Sequence, residues 1–354
     1  MRTRTSVILA ALGAVVLALG IVYGTGQTGQ TQQAAQGRRM FPDLVAKLAD
    51  AQKVEIVHKG STLALVRGRD SAADWGVAAR DGYRTQAGKV HELLTRLTEL
   101  RLDEPRTADP AMYARLGVED PGKDAESTLL QVLDGKGGII AAVIVGHPRP
   151  ASRGGVDTLY VRRPGEAQSW LADGKLEITS EVQDWIDRDI VNIAPAKVAS
   201  DVVTRGDVTL SFTRSGDKLA LTAPADHPKL DDAKLDSVAS ALADLTLEDV
   251  RRAPAPGTPL GRAVMTTTDG LVLTADVSKD GLAIWTTFSV TGKDAAALDK
   301  KLKGWAYEIG SWKEQALVPT LADLKAAEPA PATPATPAPA VSAPALPMPT
   351  IPSQ

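Results

Sequence analysis

Apolar and polar residues alternate in two widely separated stretches of the chain, and each alternation turns back on itself at a glycine. In the first, VEIVHK is followed by Thr62-Leu63-Ala64-Leu65-Val66-Arg67; in the second, VASDVVTR is followed by Thr209-Leu210-Ser211-Phe212-Thr213-Arg214. A period of two broken by glycine predicts half-buried β-hairpins. About two dozen residues after each hairpin the period changes to that of a helix. Val90, Leu93, Leu94, Leu97 and Leu100 recur at the same intervals as Leu235, Val238, Ala239, Leu242 and Leu245. Both stripes begin after a lysine (Lys89, Lys234) and run into short acidic segments, RLDE and TLED. Two copies of a hairpin-plus-helix unit are therefore expected, in register apart from a two-residue shift. Further strand-like runs follow in each copy (STLLQVLDG, GIIAAVIVG, TLYVRR and SWLAD; then RAVMTTTDG, LVLTADVSK and LAIWTTFSV). Each copy closes on a second helix, near EVQDWIDRDI and DAAALDKKLKGWAYEI. The expected fold class is α+β: two repeated hairpin-plus-helix subdomains rich in antiparallel strands.

The ends of the chain break both periods. Arg2 and Arg4 precede an uncharged run from Val7 to Tyr23. With its small flanking residues the run spans about 20 residues, roughly 30 Å as a helix, enough to cross a hydrocarbon core. It is longer than the apolar region of a cleavable signal, and no Ala-x-Ala follows it. An N-terminal transmembrane helix acting as a signal anchor is expected over residues 1–24. The next basic residues are Arg38 and Arg39. The positive-inside rule then puts the N-terminus in the cytoplasm and the bulk on the periplasmic side of an inner membrane. Residues 25–40, rich in Gly, Gln and Thr, read as a flexible linker. Residues 328–354 hold nine prolines among Ala and Thr, so a disordered tail is expected there. The first repeat then occupies residues 41–196 and the second 197–327.

Composition narrows the chemistry. The absence of cysteine removes disulfides, thiolate metal sites and a cysteine nucleophile. A formal net charge of −3 with interspersed signs leaves no basic footprint for nucleic acid. Gly117-Val118-Glu119-Asp120-Pro121-Gly122-Lys123-Asp124 has phosphate-loop spacing, but Asp stands where a Ser or Thr should hold magnesium, and two acids and a proline occupy the cradle. Ser215-Gly216-Asp217-Lys218 matches a Ser-x-x-Lys pattern, yet Gly216-Asp217 reads as a hairpin turn. His58, His91, His147 and His227 lie far apart without metal-ligand spacing. Asp184, Asp187 and Asp189 lack the glycine turn and bidentate Glu of a calcium loop, and read as a helix end with Arg188 pairing locally. Trp75, Trp170, Trp185 and Trp285 are expected in the core. Trp305, Tyr307 and Trp312 crowd one segment and are the candidates for a partner surface. No catalytic, cofactor or metal site is expected.

Several stretches together carry a family resemblance. They are the Arg67–Trp75 hairpin, the helix ending at Leu100, the Tyr113-Ala114-Arg115-Leu116-Gly117-Val118-Glu119-Asp120-Pro121 turn, and the pair Val145-Gly146 and Leu159-Tyr160-Val161-Arg162. Trp185-Ile186-Asp187-Arg188 and Gly304-Trp305-Ala306-Tyr307 with Trp312-Lys313 continue it. The chain resembles the bacterial "domain of unknown function 4340" family. It departs at His147-Pro148, and at Leu219, where the second copy would match Trp75. The resemblance implies a single-span, periplasm-facing membrane protein of the kind often encoded beside ABC-transporter permeases and gliding-type auxiliary subunits. No catalytic residue carries over from that family. The expected function is a non-enzymatic accessory or binding subunit of an envelope or ABC-type transport complex, with permease or auxiliary subunits as partners. The alternatives are an envelope hydrolase using dispersed acidic residues and a structural envelope spacer.

Overall fold

The computed structural model describes residues 37–68, 74–151 and 155–327. Most of its regular structure is antiparallel sheet. The first half holds β1 (Ala51–His58), β2 (Ser61–Arg67), β3 (Trp75–Val77), β4 (Tyr83–Arg84), β5 (Arg101–Pro105), β6 (Thr128–Asp134), β7 (Ile139–Arg149), β8 (Thr158–Arg162) and β9 (Ser169–Asp173). These strands form one nine-stranded sheet, ordered β4-β3-β2-β1-β6-β7-β8-β9-β5. The second half holds β10 (Asp189–Val191), β11 (Val198–Arg205), β12 (Val208–Ser215), β13 (Lys218–Ala223), β14 (Leu245–Arg252), β15 (Thr258–Thr267), β16 (Leu271–Asp280), β17 (Ala283–Gly292) and β18 (Trp305–Ile309). Read from its far edge, that sheet is ordered β13-β12-β11-β15-β16-β17-β18-β14-β10. From β3 to β5 and from β13 to β14 the two sheets thus share one topology, with β4 and β10 added at opposite ends.

The expected α+β class is corrected by this arrangement, and the N-terminal transmembrane helix expected with it falls on residues outside those described. Sheet carries the fold because the apolar residues keep a period of two over long strands, as in β16, where Leu273, Ala275 and Val277 are buried in turn. The helices are short: α1 (Lys89–Glu99), α2 (Asp232–Ala239) and α3 (Ala295–Leu302) have 11, 8 and 8 residues. Among the described residues no helix is long and apolar enough to cross a membrane. The apolar run Val7–Tyr23 lies outside the described residues, as do most of the linker and the whole Pro/Ala stretch.

The two helical stripes also differ. Val90, Leu93, Leu94 and Leu97 are buried along α1, but α2 stops at Ala239. Leu242 is buried in the turn that follows, and Leu245 opens β14. Before β14 the chain turns through Asp244 at φ 44°, a left-handed conformation that Asp tolerates better than most residues. Asn192 holds it there, its side-chain carbonyl accepting from the Asp244 amide at 3.2 Å.

One apolar cluster runs through both sheets, and a smaller one of Tyr113, Val118, Leu129 and Ile144 lies under the Tyr113–Pro121 turn. Buried Arg162 ties that turn down. Its guanidinium donates to Val118 O at 2.8 Å and Glu166 O at 3.1 Å, pairs with Asp120 at 2.5 Å, and lies 4.5 Å from the centre of the Tyr113 ring. Gly146 is required at the same place, because a Cβ there would run into the Leu116 carbonyl and the Val118 side chain. Gly146→Ala should therefore cost about 2 kcal/mol through forced backbone displacement. Gly122→Ala, where a Cβ meets nothing, should leave the urea midpoint unchanged in the same experiment.

The halves meet where the β3–β4 turn packs on β14 and β18. Arg80 grips Asp249 through two bonds of 2.5 and 3.0 Å. Arg84 pairs with Asp187 at 2.6 Å and donates to Lys301 O and Asp189 O. Tyr83 meets Trp305 edge-on at 4.9 Å and donates its hydroxyl to Asp187 O at 3.1 Å. Burial pushes the Tyr83 hydroxyl far above its ordinary pKa, so it stays a neutral donor.

Candidate functional site

After β18 the chain leaves the sheet at Gly310 and forms a 3₁₀ turn, Ser311–Lys313, then two short helices, Glu314–Leu317 and Leu321–Leu324. Five buried side chains, Ala316, Leu317, Val318, Pro319 and Leu324, pin this segment to the second sheet. Lys313 anchors it from the other side: its ammonium is buried and donates to Ala241 O at 3.1 Å, beyond the end of α2. Carbonyls left open past a helix end favour a cation. Burial lowers the Lys313 pKa.

Trp312 sits between these anchors and points outward, 72% exposed. Trp75, Trp170, Trp185 and Trp285 are buried and Trp305 is half-buried, so Trp312 stands apart in a chain short of aromatics. Its indole folds back over Gly310, where a Cβ would collide with the ring nitrogen. Lys313 Nζ lies 4.9 Å from the ring centre.

The indole forms one wall of a cleft of about 430 Å³ whose other sides include Arg205, Glu314, Gln315, Thr320 and Asp323. Its charged groups are held in place. Glu314 accepts from Arg205 at 2.9 Å and from Lys279 at 3.0 Å, and Arg205 also donates to Val318 O at 3.0 Å. Burial works to raise the Glu314 pKa, but the two cations outweigh it and the carboxylate stays below its usual range. Thr320 and Asp323 form a reciprocal capping box, with Thr320 Oγ1 donating to Asp323 at 2.6 Å and the Asp323 amide donating back at 3.2 Å. Ser311 and Gln315 are exposed on the rim, where their hydroxyl and amide face solvent.

The three aromatics expected to share a partner surface are separated by the fold. Tyr307 is fully buried, 6.0 Å from Phe288 and 6.2 Å from Tyr83. Trp305 is wedged between Tyr83 and Arg252, whose guanidinium lies 3.8 Å from the ring centre. Both belong to the junction between the halves, and Trp312 alone of the three is presented to solvent. Strand alternation explains the split: Trp305 and Tyr307 lie on β18, whereas Trp312 lies beyond its end.

The other candidates take structural places. Gly117 ends a short helix at φ 66°. Ser215-Gly216-Asp217-Lys218 makes the β12–β13 turn, and Lys218 pairs with Asp232 at 2.5 Å. His58 Nδ1 lies 3.1 Å from both Ser127 O and Thr128 Oγ1, and His227 donates to Pro228 O at 2.9 Å. Among the described residues no three His, Asp or Glu side chains are grouped to hold a metal. Asp187 pairs with distant Arg84, whereas Arg188 donates instead to Leu247 O at 3.2 Å; local pairing within that acidic segment is thereby corrected.

Sequence reasoning missed the polar side of the cleft. Only the capping pattern Thr320-x-x-Asp323 left a local trace. Arg205 and Lys279 come from β11 and β16, more than 30 residues from Glu314, and nothing near them in sequence marks the convergence. Asp201 was also missed: it is fully buried on β11, and both carboxylate oxygens lack a hydrogen-bond partner.

Comparison with curated protein sequences finds no match to this chain. A family model does match, over residues 75–261. That span starts at the tryptophan of β3 and ends within β15, so it takes in the Tyr113–Pro121 turn, Arg162 and the Trp185 segment and reaches across both sheets. It covers more than half of the sequence, and the chain belongs to the family described as "Domain of unknown function (DUF4340)".

Proposed function

We propose that this protein is a non-enzymatic accessory or binding subunit of an envelope assembly, of the kind that serves ABC-type transport. The observation that carries the reading is Trp312, an exposed indole on a segment anchored at both sides, beside a cleft of about 430 Å³. Exposing a rigid aromatic ring forgoes the stability its burial would provide, and such rings are the residues that dominate binding surfaces. The charged groups nearby are spent on architecture: Arg205 and Lys279 both pair with Glu314, and Lys313 caps carbonyls. The apolar run Val7–Tyr23 behind Arg2 and Arg4 supports work on the periplasmic side of the inner membrane.

The test is photo-crosslinking in cells, with the reactive residue placed at Gln315 on the cleft rim or at Leu282, 89% exposed on the β16–β17 turn. A product joining position 315 to a membrane transport subunit, reduced by Trp312→Ala, is expected. Hydrolysis of envelope polymer by the purified full-length chain, abolished by substituting one carboxylate, would replace this reading with the enzymatic one.

A further inference from the structure

We propose that the cleft beside Trp312 binds a neutral saccharide, with the apolar face of a sugar ring laid on the indole. This inference rests on reading the protein as a binding subunit and names the ligand class of that same site.

Three features of the cleft select for a sugar. The first is the indole itself: a pyranose presents a flat face of C–H groups that an exposed tryptophan can cover, while its hydroxyls stay at the edge. Trp312 is presented beside an anchored residue, since buried Lys313 is tied to Ala241 O, and Gly310 leaves room for the folded-back ring. The second is charge. Glu314 is paired with both Arg205 and Lys279, and Asp323 is bonded to Thr320, so the charged groups that line the cleft are already engaged. Charged groups that already have partners offer little to a phosphate, a carboxylate or a polyamine. The third is the mixture of hydrogen-bonding groups around the ring. Ser311 offers a hydroxyl, Gln315 both a donor and an acceptor, and the carboxylates of Glu314 and Asp323 retain lone pairs beyond those their partners occupy. Sugar hydroxyls donate and accept at once, so they are the groups that such a rim satisfies. A cleft of about 430 Å³ has the size of a small-ligand site. It is open to solvent along the exposed indole, which suits a glycan chain that continues past the bound residue.

The experiment uses the full-length chain labelled with 5-fluorotryptophan and followed by fluorine NMR. Six tryptophans give six resonances, and Trp312→Phe identifies the one of interest. Chitotetraose and maltotetraose, both neutral, are titrated separately. The Trp312 resonance is expected to shift saturably with at least one of them, while that of buried Trp185 stays fixed. Trp312→Ala, followed through chemical shifts of the protein backbone, should weaken binding at least about tenfold, as loss of a central aromatic anchor does. Gly310→Ala should weaken it similarly, because its methyl group drives the indole away without touching the ligand. The proposal is overturned if neither sugar moves the Trp312 resonance, or if both variants bind as the wild type does. Saccharide failure together with a persistent crosslink at Gln315 to a transport subunit would remove the sugar and leave the binding-subunit reading standing. Saccharide binding without any such crosslink would keep the sugar site and remove the transport partner.

Discussion

Trp185→Ala should destabilise the protein by about 4 kcal/mol, within the range for deleting a buried indole. Trp185 is fully buried in the segment that passes from the first sheet to the second. Its ring nitrogen donates to Thr179 O at 2.9 Å, and its backbone carbonyl accepts from the Gln86 amide at 2.8 Å. The next residue, Ile186, pairs with Thr85 in an isolated bridge, and Asp187 then meets Arg84. A cavity at Trp185 would loosen the backbone that holds these contacts, so the loss should spread to the junction between the halves. Urea denaturation measures it. Trp185→Phe should cost less, because most of the apolar volume remains and chiefly the indole hydrogen bond is lost. Equal midpoints for the alanine variant and the wild type would show that the two sheets do not depend on this segment.

Asp201→Asn should stabilise the protein by about 3 kcal/mol at pH 8 and have little effect at pH 4. Asp201 lies on β11 between Phe212 and Met265 on the neighbouring strands, with neither oxygen bonded. Burial among these apolar groups pushes its pKa from 3.8 up to about 7. The folded chain therefore holds this proton more tightly than the unfolded chain. Below about pH 4 both states are protonated and the full benefit of the neutral acid is present. Stability is then lost as pH rises from about 4 through about 7, after which both states are ionised and the loss is complete. A difference of about three pH units corresponds to roughly 4 kcal/mol, since each unit is about 1.4 kcal/mol. The amide of asparagine is also unpartnered there, which reduces the gain. Melting temperatures at pH 4 and pH 8 for the two proteins provide the check. Parallel pH profiles would mean that Asp201 reaches solvent.

The sequence by itself determined the strands and the repetition of their pattern. Alternation in residues such as Leu63 and Leu65, or Leu210 and Phe212, is a local consequence of having one wet and one dry face. Both pairs are buried in the structure, at equivalent places in their sheets. The Gly146 contact and the Tyr113–Pro121 turn were visible as motif residues, although their reason, the Leu116 carbonyl and the buried Arg162, was not. Only the tertiary structure decided the rest. Helical spacing in Leu242 and Leu245 did not make a helix: α2 ends at Ala239, and the turn through Asp244, bonded to Asn192, carries the chain into β14. Sheet carries the fold because local hairpins are joined by pairings between strands distant in sequence, β1 with β6, β5 with β9, β11 with β15 and β14 with β18, and no local period encodes those pairings. The cleft was hidden for the same reason: Arg205, Lys279 and Glu314 become neighbours only when β11, β16 and the segment after β18 are assembled. The three clustered aromatics could not be told apart by sequence, since adjacency along the chain does not say which side faces the junction. Sheet pairing buries Trp305 and Tyr307 there, and the chain leaving β18 turns Trp312 out to the solvent.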